Sequence, residues 1–182
     1  MKNLAVILLI WISAGLFVSC DKNDAIAPPD SQRILFECYY INYAWGYVHQ
    51  GFFIDNEEKI KTYSQQALGV NPNDVDWNFP DNDGNISEQA LMENIQKTTV
   101  RDTLIDKNTL REYSDKIYLI DENDITEYQS AYDAGSIVYA CYQYNGDTHT
   151  YKQMELLVNG DWTRINNNKY AKQISEWLKT IH

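Results

Sequence analysis

Apolar positions fall into three regimes along the chain. The first is an unbroken apolar run near the start, at residues 4–12. The second is a pair of aromatic and β-branched regions, residues 34–63 and 136–165, broken by Gly, Asn and Asp. The third is helical spacing, between those regions and at the end of the chain. In the first β-rich region, Ile34-Leu35-Phe36-Glu37-Cys38-Tyr39-Tyr40-Ile41-Asn42-Tyr43-Ala44-Trp45 reads as a strand with a bulge at Gly46. His49-Gln50-Gly51 reads as a turn, Phe52-Phe53-Ile54 as a second strand, Asp55-Asn56-Glu57-Glu58 as a turn and residues 59–63 as a third strand.

Residues 70–85, rich in Asn, Asp and Pro, read as a long loop. Ser87 is a suitable N-cap for a helix running to about Lys97, with Leu91 and Ile95 on one face. Leu110, Tyr113 and Ile117 mark a second helix over residues 108–116. A third is expected over 124–133, ended by Gly135. Strands follow at 136–144, 148–158 and 161–165, punctuated by Asn145-Gly146 and Asn159-Gly160, the dipeptides that accept positive φ in tight hairpins. Tyr170, Ile174, Trp177, Leu178 and Ile181 form one stripe of a closing helix. The expected fold is therefore α+β: an antiparallel sheet from two three-strand meanders, helices between them, and a C-terminal amphipathic helix packed on the sheet.

Composition adds size and charge. The chain has 182 residues, 44% hydrophobic and 23% charged, enough for one globular core. Its net charge is −11, which disfavours nucleic acid, because phosphate binding needs clustered Lys and Arg.

The start of the chain has the grammar of an export signal. Lys2 precedes the run Leu-Ala-Val-Ile-Leu-Leu-Ile-Trp-Ile, small residues Ser13, Ala14 and Gly15 follow, and Leu16-Phe17-Val18-Ser19-Cys20 closes it. The run is shorter than the roughly 18 residues of a membrane span. Val18, Ser19 and Cys20 match the end of a lipobox, with Phe17 in place of the usual Leu, so the segment resembles bacterial lipoprotein signals. The resemblance implies lipidation at Cys20 and attachment to the outer membrane, at the cell surface or on its periplasmic face. Asp21 and Asp24, just after the cysteine, resemble the acidic start of Bacteroidetes-type surface lipoproteins. The expected organisation is a signal peptide over residues 1–19, a lipidated cysteine and flexible tether over 20–32, and a single globular domain over 33–182.

Candidate chemistry in the domain is sparse. Cys38 and Cys141 are the cysteines left after the anchor, and are read either as a disulfide or as two packed thiols. Asp81 and Asp83 are weak calcium candidates. In the EF-hand pattern Phe79 would occupy the first ligand position and Ala90 the bidentate one, so turn formation explains the cluster better. His49, His149 and His182 have no partner at metal-ligand spacing. No phosphate-cradling or nucleophile motif is present, and no cofactor is implied. The 14 Tyr and 5 Trp, with Tyr39, Tyr43 and Trp45 close together, suit a face that binds glycan or an envelope protein. A lipid-anchored binding module is the leading expectation. The alternatives are a hydrolase acting on glycan or peptide, and a structural subunit of an envelope complex.

Overall fold

A computed structural model describes residues 26–44, 46–67 and 75–181. Nine strands form one sheet, in the order β5-β3-β2-β1-β7-β8-β9-β6, with β4 paired to β8 off that path. The class is α+β and every strand pair is antiparallel. β1 (Ile34–Asn42) and β7 (Ser136–Asn145) lie side by side at the centre. β2 (Tyr47–Asp55), β3 (Lys59–Ala67) and β5 (Thr99–Leu104) extend the sheet on one side. β8 (Thr150–Gly160), β9 (Trp162–Asn166) and β6 (Ile125–Gln129) extend it on the other, and β4 is Asn85–Ser87.

Both faces are covered, by different helices. On one face lie α2 (Lys107–Ser114), a 3-10 turn (Ile117–Leu119) and α3 (Lys169–Leu178), over Phe36, Phe52, Ile54 and Met154. α3 is held by its apolar stripe: Ala171, Ile174, Trp177 and Leu178 are buried. Trp177 meets Phe36 edge-on at 5.1 Å and stacks on Tyr113 at 4.4 Å. On the other face α1 (Glu88–Gln96), β4 and residues 75–84 cover Phe53, Tyr63, Tyr142 and Tyr151, through Leu91, Ile86 and Trp77. Each helix starts on a side chain that accepts a backbone N–H: Ser87 from Ala90, Asp106 from Thr109, Asn168 from Tyr170.

The strand pairings give the sheet two ends. At the upper end lie the β1–β2 connection, the β6–β7 loop and the turn at Asp161. The lower end carries the 55–58 and 146–149 turns and residues 31–33. The chain enters the domain at the lower end. Ile26 N–H donates to Asp115 O at 2.9 Å. The buried Gln32 amide donates to Ile34 O and Tyr142 O and accepts from the Tyr118 hydroxyl.

Several expectations are corrected. The helix expected over 124–133 is strand β6. Asp124 and Gly135 imitate helix caps, but Ile125, Thr126 and Tyr128 favour an extended chain, and β9 supplies the partner. His49-Gln50-Gly51 is the interior of β2, not a turn. Gly51 is needed for close approach, since a Cβ there would lie 2.2 Å from Cys38 O. Asn159 and Gly160 finish β8, and the chain turns one residue later at Asp161. A Cβ on Gly160 would collide with Gly135 O at 1.9 Å. β5 was not expected as a strand.

Candidate functional site

The helices leave part of the sheet uncovered. α2 and the 3-10 turn occupy the lower half of their face, and α3 ends near Leu178, so the upper part of the β1–β2–β3 floor is open. This groove is about 460 Å³ and is lined on the floor by Cys38, Tyr40, Gln50, Phe52, Thr62 and Ser64. Arg101 of β5 forms one wall; Ile137 and Tyr139 of β7, with Lys179 and Ile181 after α3, form the other. Arg101 sits over the Phe52 ring at 5.6 Å and Lys179 over the Tyr139 ring at 5.9 Å. Tyr40 ties the floor to the upper loops, donating to Ala134 O at 3.0 Å and accepting from Asn42 Nδ2 at 2.8 Å.

At the same end of the sheet, outside the groove lining, stands an aromatic rim. Tyr43 in the β1–β2 connection is 51% exposed, Tyr132 in the β6–β7 loop 80%, and Trp162 at the start of β9 51%. Large aromatics left in water at one end of a domain are more informative than scattered exposed residues. Asp161 organises this end. Its carboxylate accepts from Ala134 N–H, its carbonyl from Ser130 and Ala131 N–H, and its own N–H donates to Gly135 O.

A second concavity, about 590 Å³, lies at the lower end between residues 30–34, the 55–57 turn and α1. There Tyr144 Oη donates to Glu88 Oε2 at 2.9 Å, and His149 Nδ1 lies 3.1 Å from each of them. The hydrogen bonds from Tyr144 and His149 hold the Glu88 carboxyl below the usual range. His149 has φ 50°, a left-handed turn conformation. Its carboxylate partner is Glu88. The arrangement orients one imidazole, whose side chain is 73% exposed to water. A third depression, about 720 Å³ and beside β8, is lined by the ion pairs of Arg164 with Glu155 and Lys152 with Glu122.

The remaining expected residues fall as follows. Cys20, Trp45 and His182 lie outside the described residues. Tyr43 is on the rim and leans on Tyr47 at 5.8 Å, and Tyr39 points away from the groove and packs edge-on against His49 at 5.2 Å. Cys38 and Cys141 are both free thiols. Cys38 pairs with Tyr139 and Cys141 with Phe36, so the two are diagonal neighbours on one face. Diagonal partners stand about 7–8 Å apart, their Cβ atoms somewhat closer, whereas a disulfide needs Cβ atoms about 3.5–4.5 Å apart. Burial, then the Glu37 charge, pushes the Cys38 thiol up to about 12, which keeps it protonated and poorly nucleophilic. Asp81 accepts from Asp83 and Asn85 N–H at 3.0 and 2.8 Å, and so builds its own turn. No cluster of metal-ligating side chains occurs among the described residues.

Two ionisable groups are buried against expectation: Glu37, which drew no notice in its strand, and His49, which was expected in a turn. Glu37 is enclosed between β2, β3 and β8. Its carboxylate accepts from Tyr63 Oη (2.7 Å), Tyr142 Oη (2.6 Å) and Gln153 Nε2 (2.8 Å). Burial raises its pKa from 4.5 to about 7. His49 Nε2 lies 3.2 Å from the same Tyr63 hydroxyl, its Nδ1 is buried without a partner, and burial lowers its pKa to about 4. A charge between Phe36 and Cys38 in an otherwise apolar strand was the available signal. Arg101, Thr62, Ser64, Lys179, Tyr132 and Trp162 carried none, because only the folded sheet brings them to one end.

No protein-family model, curated protein or solved structure matches this chain. Its α+β sheet with helices on both faces defines the class, and any function must be argued from the site.

Proposed function

We propose that the chain is a lipid-anchored envelope protein whose single domain, two three-strand antiparallel units with helices, is a binding module for glycan. The anchor rests on the sequence of the first twenty residues, with the lipid on Cys20 and the outer membrane as its location. The observation that carries the binding reading is the position of the groove. The chain enters at the lower end of the sheet, whereas the open floor and the exposed Tyr43, Tyr132 and Trp162 stand at the upper end. A tethered domain held this way presents its aromatic rim away from the bilayer. Tyr and Trp rings stack on the apolar faces of sugar rings, and the floor supplies hydroxyl and amide partners from Tyr40, Gln50, Thr62 and Ser64. Among the described residues, no helix is long and apolar enough to cross a membrane.

The lower cleft supports an enzyme less well. Its imidazole is largely in water, where an oriented base gains little from the protein field.

The test is calorimetry of the soluble domain against a panel of neutral and acidic oligosaccharides, with Trp162→Ala and Tyr132→Ala. Binding in the micromolar to millimolar range is expected, weakened roughly tenfold by each substitution through the loss of stacking. Binding that both variants retain in full would remove the rim from the site, and a panel without a binder would overturn the glycan reading.

A further inference from the structure

We propose that the groove selects an acidic glycan, with Arg101 and Lys179 as the groups that receive uronate-type carboxylates. This rests on the glycan reading above and narrows it. The observation is the charge of the lining. The chain has 26 acidic and 15 basic residues, yet among the described residues the groove is lined by Arg101 and Lys179 and by no Asp or Glu. The other concavities differ. The lower cleft includes Asp30, Asp55, Glu57 and Glu88, and the β8-edge depression includes Asp83, Glu122, Glu127 and Glu155. On so acidic a molecule, a concavity whose described lining carries two cations and no acidic side chain repels an anion less than its neighbours do.

Geometry agrees with charge. β5 lies beyond β3 at one side of the floor, and α3 packs over β7 and β8 at the other, so the two cations stand on opposite walls. Phe52 lies under the guanidinium and Tyr139 under the ammonium. Lys179 also pairs with Glu176 at 2.6 Å, an exposed contact that a ligand carboxylate can replace at little cost. Arg offers a planar fork to a carboxylate and Lys a point charge. Between them Thr62, Ser64 and Gln50 are spaced along the strands for sugar hydroxyls.

A peptide is the poorer fit. The central floor strands β1 and β2 are hydrogen-bonded on both sides, so an extended peptide would find few backbone partners there. A sugar acid is recognised through side chains alone, which is what this floor presents.

The experiment is calorimetry of the soluble domain with oligosaccharides of galacturonate, glucuronate and mannuronate, each beside its carboxyl-reduced neutral form. At least one uronate should bind about tenfold or more tightly than its reduced form, and the double variant R101Q/K179Q should erase that preference. Arg101→Lys should retain part of it, and unchanged melting of the variants excludes misfolding as the cause. Equal binding of both forms, or binding of neutral sugars alone, overturns the acidic preference and leaves the glycan reading standing. Failure of every sugar, acidic and neutral, overturns both. A preference that survives R101Q/K179Q overturns the assignment of these two residues.

Discussion

Glu37 and His49 show how one side chain can set the pH response of a whole core. They sit on the same face of the sheet and share the Tyr63 hydroxyl. Glu37, with its pKa raised to about 7, binds a proton more tightly folded than unfolded. Its contribution to stability is complete at low pH and is lost as pH rises from 4.5 to about 7. His49, lowered from 6.5 to about 4, does the reverse, and its contribution is lost as pH falls through that window. Each slope is about 1.4 kcal/mol per pH unit, and they oppose each other over most of the interval. Urea denaturation between about pH 5 and pH 6 should therefore separate them. Relative to the parent, Glu37→Gln should gain stability with rising pH and His49→Gln should lose it. If both variants keep the parent's slope, these groups do not titrate as their burial demands.

At the scale of elements, the closing helix was legible because its stripe is long and its period unbroken. Tyr170, Ile174, Trp177 and Leu178 all turn toward the sheet side. Trp177→Ala would remove its contacts with Phe36 and Tyr113 and leave a cavity, with an expected loss of about 3–5 kcal/mol in chemical denaturation. A loss under about 1 kcal/mol would mean that the helix contributes little to the core. The turn at 55–58 and the cap at Ser87 were also legible, since both depend on neighbours in sequence. β6 and β5 were not. A five-residue segment such as Ile125–Gln129 is extended because β9 lies beside it, and local composition does not reveal that partner. Gly51 misled for the same reason: its role is to admit the backbone of β1, which no local pattern records.

At the scale of the molecule, the chain's entry into the domain and the groove stand at opposite ends of the sheet. If Cys20 carries lipid, Cys20→Ala should move the protein from the membrane fraction to the soluble fraction and abolish acyl labelling. A variant that stays membrane-bound with labelling unchanged would rule the anchor out. The rim was legible only in part. An aromatic-rich first strand pointed to Tyr43. Strand alternation sent Tyr39 to the core face, and Tyr132 and Trp162 arrive from residues about ninety and a hundred and twenty positions further on.

What the sequence by itself determined is whatever depends on short range and bulk chemistry: an acidic α+β domain, the helix capped by Ser87 and the amphipathic closing helix. Tertiary structure alone decided which strands neighbour one another, and with that three further features. It buried Glu37 and His49 together. It set Cys38 diagonal to Cys141, out of bonding reach. It left a carboxylate-free floor open between Arg101 and Lys179. Each of these joins groups far apart in the chain, and sheet register, which brings them together, is a property of pairs of strands and not of any one segment.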